Sequence, residues 1–122
     1  MQWSSPTPQI EISGEVSYYG PGLMDQVAET RGYNLAGYVA GVALMPAGDL
    51  GRDVWLYIGG RWSGPFLVVD CSQLGHYEMN IERGRVVEVG AAVWEQFDLP
   101  DMPVPVRARF ARPGGGRPRC PR

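Results

Sequence analysis

A single, mainly β domain of about six short strands with one or two short helices is what this sequence predicts. Glycine and proline supply 17 and 11 of the 122 residues, a load that breaks helices and suits tight turns. Six apolar or alternating runs rich in Val, Ile, Tyr and Trp lie between breaks that carry Gly, Pro or Asp. A hydrophobic share of 44% against 20% charged residues belongs to a chain that buries a core. At this length folding hides roughly two-thirds of the unfolded surface, so a core forms without metal or many disulfides.

Residues 1–13, with Pro6 and Pro8, read as an extended N-terminal arm that leads into a β run over Ile10–Tyr19. Gly20-Pro21-Gly22 then turns the chain. Leu23–Arg31 suits a short helix stopped by Gly32, with Leu23, Val27 and Met24 inward. Tyr38–Leu44 is a second β run, and Pro46–Gly51 a turn. Asp53–Ile58 alternates, with Val54, Leu56 and Ile58 on one face and Trp55 and Tyr57 on the other. Gly59-Gly60 returns the chain along Trp62–Asp70, which makes residues 53–70 a hairpin. A polar loop, Cys71–Gly84, is long enough to expect function from it. Arg85–Val89 is a short strand and Ala91–Phe97 a helix offering Ala92, Val93 and Phe97 to the core. Val104–Phe110, alternating apolar residues with Arg, is the last strand of a domain spanning 14–110, and 111–122 is a Pro/Gly/Arg tail. Residues 42–58 and 86–110 echo each other as strand, turn or helix, then alternating strand, as expected of interlocked β-barrels.

The net charge of −2 conceals an asymmetry. All eleven cationic residues are Arg, and six of them follow the last acid, Asp101. The preceding chain sets five Arg against thirteen acids, a balance that argues against a nucleic-acid partner. No apolar run reaches the roughly 18 residues of a membrane span, and no basic stretch followed by an apolar one marks a signal peptide at the start. Cys71 and Cys120 would staple the tail to the middle of the domain if bonded, as suits an oxidising compartment. Two independent thiols fit the sequence equally well.

His76 is the only histidine, so any Ser-His-Asp triad would need it; a loop histidine beside a disulfide cysteine reads better than a Cys71–His76 dyad. One His and two distant Cys make no metal set, Gly114–Gly116 lead to no phosphate loop, and no cofactor is expected. The acids are more informative. Asp70 ends the apolar run Phe66–Val69, and Glu88 lies inside Val86-Val87-Glu88-Val89. A carboxylate among β-branched residues is costly to ionise, and a raised pKa is what a general acid needs to protonate a glycosidic oxygen. The competing reading is a solvent-facing Glu88, or one paired with Arg85 or Arg109, and an Asp70 that accepts loop N–H groups. Tyr and Trp are many for this length; most serve the core, and exposed ones would stack on sugar rings.

Gly14-Glu15-Val16-Ser17-Tyr18-Tyr19-Gly20 resembles the opening G-x-A-S/T-Y-Y-G of double-psi β-barrel domains, found in rare lipoprotein A-like, expansin-like and barwin-like proteins. In order along the chain, Ala43–Pro46 with Gly51–Leu56 is similar to their A-L-P-x-G-T-x-V-x-V stretch. Gly64–Asp70 is similar to the strand ending in their first Asp, and Arg83–Phe97 to R-G-x-x-D-L-S-x-A-A-F-x-x-L. The resemblance spans residues 14–110 and implies a small closed double-psi β-barrel. It places Ser17 on a hydroxyl position, Asp70 on the first acid and Glu88 on the second, on which glycan-active members depend. Here the second acid is Glu, Val42 stands about where the lytic enzymes carry a His, and their H-G-x-x-T-A-x-G segment has no counterpart.

The expectation is therefore an extracellular or cell-envelope module with an eroded catalytic pattern. It would bind peptidoglycan or another polysaccharide, or assemble with a protein partner or itself through its Pro-rich ends. The alternative is a glycan-active or wall-loosening enzyme in which Glu88 is the general acid, Asp70 stabilises positive charge or orients Glu88, and Ser17 holds a sugar hydroxyl. In either case Tyr18, Tyr19, Trp62 and His76 are expected to contact the glycan.

Overall fold

The computed structural model describes residues 9–18, 22–44, 50–70, 84–100 and 104–111, without the side chains of residues 9, 10, 44, 110 and 111. Tyr19, Cys71, His76 and Cys120, most of the 71–84 loop and the outer parts of both termini lie outside them. Six strands form: β1 (Gln9–Tyr18), β2 (Gly41–Leu44), β3 (Asp53–Ile58), β4 (Arg61–Asp70), β5 (Arg85–Val89) and β6 (Val104–Ala111). Two short helices, α1 (Leu23–Thr30) and α2 (Ala91–Gln96), complete the described fold. The mainly β architecture expected from the sequence is what forms, with the strands closing a ring in the order β1-β5-β2-β4-β3-β6.

The β1–β5 and β2–β4 pairs are parallel and the other four antiparallel. Advancing every strand number by three reproduces all six pairings with their directions. The echo between residues 42–58 and 86–110 is the sequence trace of this pseudo-twofold, which carries β2–β3 onto β5–β6.

Period-two alternation sorts the side chains into an inside and an outside. Val54, Leu56 and Ile58 from β3, Phe66 and Val68 from β4, Val87 and Val89 from β5, and Val106 and Ala108 from β6 fill the ring, each almost fully buried. Gly59 and Gly60, both at positive φ, make the two-residue turn between Ile58 and Arg61, where the twist of paired strands calls for left-handed backbone. Four consecutive residues of β4, Phe66–Val69, are buried because that strand is covered on both sides. Phe66 and Val68 point into the ring, while Leu67 and Val69 pack with Ala43 beneath Met24 and Ala28 of α1.

Two helix expectations need correction. Leu23 is exposed, because the buried stripe of α1 is Met24–Val27–Ala28 and Leu23 lies at its margin. Ala92 is exposed too, because the six-residue α2 presents Val93 to the ring, with Trp94 and Phe97 partly buried beside it. The second strand is also shorter than expected: residues 38–40 precede it, with Val39 N–H bonded to Pro65 O at 2.9 Å.

Phe66→Ala should cost about 3–5 kcal/mol of stability in urea unfolding, because the ring cannot collapse onto the space left. Gly14→Ala should cost about 1–3 kcal/mol, since a Cβ there would meet Gly84 O and come within 2.7 Å of Val86 Cγ1. An unchanged unfolding midpoint in either variant would contradict this packing.

Candidate functional site

Three of the residues singled out by sequence fall on one line. Ser17 of β1 is level with Glu88 of β5, Glu88 is level with Ala43 of β2, and Ala43 is level with Asp70 of β4. The row Ser17–Glu88–Ala43–Asp70 thus crosses four neighbouring strands on the outside of the ring. Glu88 faces out because Val87 and Val89 on either side face in.

Asp70 reaches the row through an irregularity. Val42 is level with Val68, but the next residue of β2, Ala43, is level with Asp70, so β4 carries one extra residue at Val69. Strict alternation from Phe66 and Val68 would turn Asp70 inward; the bulge re-aims it. On the outside it meets the end of α1, where Arg31 Nη2 donates to Asp70 Oδ1 at 3.1 Å.

The two acids stand two strand spacings apart at the backbone, about 10 Å, and Ala43, fully buried, is all that lies between them in the row. Burial pushes the Glu88 carboxyl up from 4.5 to about 7, the negative charge of Asp70 adds to the rise, and the Arg85 guanidinium opposes it. The sequence alternative in which Glu88 pairs with Arg109 does not hold. Arg109 Nη2 donates instead to Glu11 Oε1 at 2.9 Å, beside the 2.8 Å bond from Arg107 Nε to Glu11 Oε2.

Of the expected glycan contacts, Tyr18 is level with the inward-facing Val89 and so lies on the other side of β1 from Ser17, 48% exposed and leaning on Trp94 of α2 with ring centroids 4.7 Å apart. Trp62 is elsewhere. It is the second residue of β4 while Asp70 ends the strand, eight residues and roughly 25 Å away. There it packs against Tyr57, with centroids 5.5 Å apart, on the β4-β3-β6-β1 side of the ring. Tyr19 and His76 are outside the described residues. Sequence reasoning missed Arg31, which nothing in its helix marks as the partner of an acid 39 residues on.

Among the described residues no group of three or more His, Cys, Asp or Glu side chains is placed to hold a metal ion, and no helix is long and apolar enough to cross a membrane. No protein-family model, no curated protein and no solved structure matches this chain significantly. The row accordingly has to be read from its chemistry. A hydroxyl, a carboxyl that is half protonated near neutrality and a carboxylate held by an arginine offer both donors and acceptors in a line. That set suits a hydroxyl-rich ligand, and it can deliver a proton.

The Glu88 carboxyl should titrate near 7 in side-chain carbon NMR, falling in Asp70→Asn and rising in Arg85→Gln. Between 4.5 and about 7 the folded chain holds a proton that the unfolded chain has lost. Glu88 therefore costs the fold stability as pH rises through that window, by about 1–2 kcal/mol once solvent screening of this part-exposed carboxyl is allowed for, and Glu88→Gln should remove the loss. Parallel stability–pH curves for the two proteins would contradict the assignment.

Proposed function

We propose that this chain is a double-psi β-barrel module of the rare lipoprotein A-like, expansin-like and barwin-like kind, acting outside the cytoplasm and binding a cell-wall-type polysaccharide along the Ser17–Glu88–Ala43–Asp70 row. The alignment of three separately nominated residues in that row is the observation that carries the reading. Two parallel strand pairs related by a pseudo-twofold are in keeping with the family expectation. Sugar hydroxyls both donate and accept, and the charge-assisted hydrogen bonds they donate to carboxylates are the stronger kind.

Catalysis is the second reading, and one observation favours it: Glu88 is held near 7 with a second carboxylate in its row. Protonated Glu88 would donate to the glycosidic oxygen, Asp70, kept in place by Arg31, would stabilise the positive charge that develops on the sugar, and Ser17 would hold a hydroxyl. Such an activity falls as pH rises past about 7, where Glu88 loses its proton.

Incubation with insoluble peptidoglycan separates these outcomes. Sedimentation with the wall is expected, weakened about tenfold in folded Asp70→Asn and Glu88→Ala. Variants that sediment like the parent, or a parent that stays in solution, would contradict binding at the row. Anhydro or hydrolysed muropeptides in the supernatant, absent with Glu88→Gln, would establish the catalytic reading.

A further inference from the structure

The outside of the ring opposite the acid row carries a second chemistry. There β3 and β6 are neighbours, with Trp55 level with Arg109 and Tyr57 level with Arg107. Trp62 of β4 is level with Tyr57, so the row Trp62–Tyr57–Arg107 crosses three strands, with Trp55 and Arg109 level beside it. The Arg107 guanidinium lies 5.7 Å from the Tyr57 ring and 5.3 Å from the Trp62 ring, and that of Arg109 lies 4.6 Å from Trp62. Burial does not explain this ladder. Trp55 and Trp62 are each 37% exposed, and the Arg107 and Arg109 side chains are 45% and 39% exposed.

Two arginines of this face share one acid, Glu11. Glu11 engages one nitrogen of each guanidinium, which carries five N–H donors. Tyr57 and Arg107 also line a cleft of about 720 Å³ between the Gly59-Gly60 turn and the segments at 97–100 and 104–107. Its walls are mainly apolar, with Asp98 as the acid on its far side; Arg61 sits nearby, 5.1 Å from the Phe97 ring.

From this arrangement we infer that the Trp55–Tyr57–Trp62 face, with Arg107 and Arg109, is a second binding site, for a carboxylate-bearing polysaccharide. Exposed indole faces take the flat side of a sugar ring. The two arginines, two residues apart on β6 and so about 6.6 Å apart at the backbone, take carboxylates on one chain of sugars with the N–H groups that Glu11 does not use. A neutral glycan would leave those donors to water, and a nucleic acid would need more phosphate contacts than two or three arginines supply. The site lies across the ring from Ser17, Glu88 and Asp70 and goes beyond the reading given to them.

Titration of intrinsic tryptophan fluorescence with polygalacturonate tests it, with neutral barley β-glucan and oligo(dT) as comparison ligands. Polygalacturonate should bind, and bind less tightly as ionic strength rises. Arg107→Gln with Arg109→Gln should weaken it about tenfold, and Trp62→Ala by a similar factor. The arginine pair is the decisive variant if Trp62→Ala fails to fold, since its unfolding midpoint monitors the sheet independently. The folded arginine variant should still sediment with peptidoglycan, which separates this site from the acid row. Equal binding of the neutral glucan, tighter binding of oligo(dT), or unchanged binding in the folded arginine variant would each overturn the inference.

Discussion

Closure of the six strands around one packed interior is the constraint on which the rest of this molecule depends. A ring has no free edge, so each strand must satisfy the register of two neighbours at once. Shifting any strand by one residue would turn its buried set outward, Val87 and Val89 for β5 or Leu56 and Ile58 for β3. The inward residues thereby fix the outward ones. Glu88 can sit level with Ser17 and Ala43 only because Val87 and Val89 are needed inside.

The same constraint accounts for the division of the outer surface. Parallel pairing of β1 with β5 and of β2 with β4 brings the acids together on one half of the ring, where α1 adds Arg31 and shields Ala43, Leu67 and Val69. Antiparallel pairing of β3 with β4 and β6 gathers the aromatic residues and arginines on the other half. The titratable row and the cluster of aromatic residues and arginines thus lie on separate faces, and burial beside a second acid raises the proton affinity of Glu88.

Much of this was legible in the residues themselves. The alternation of Asp53–Ile58, the Gly59-Gly60 turn and the apolar run to Asp70 are local signals, and local signals set the hairpin. Glu88 stood out because a carboxylate among valines is chemically conspicuous. What could not be read was which strands would be neighbours. Trp55 and Tyr57 share a parity on β3, and Arg107 and Arg109 share one on β6, but nothing local says that those two strands pair. That Trp62 lies far from Glu88 was hidden for the same reason: it and Asp70 stand near opposite ends of one long strand. The bulge at Val69 was hidden as well, since it answers to the register of β2 and leaves no mark in β4.

Cross-strand NOEs test the central claim most directly. The account predicts backbone contacts linking Ser17 with Glu88, Glu88 with Ala43, and Ala43 with Asp70, all in one folded species. Contacts that instead put Val87 or Val89 opposite Ala43, or Val69 in place of Asp70 beside it, would dissolve the row and the chemistry built on it.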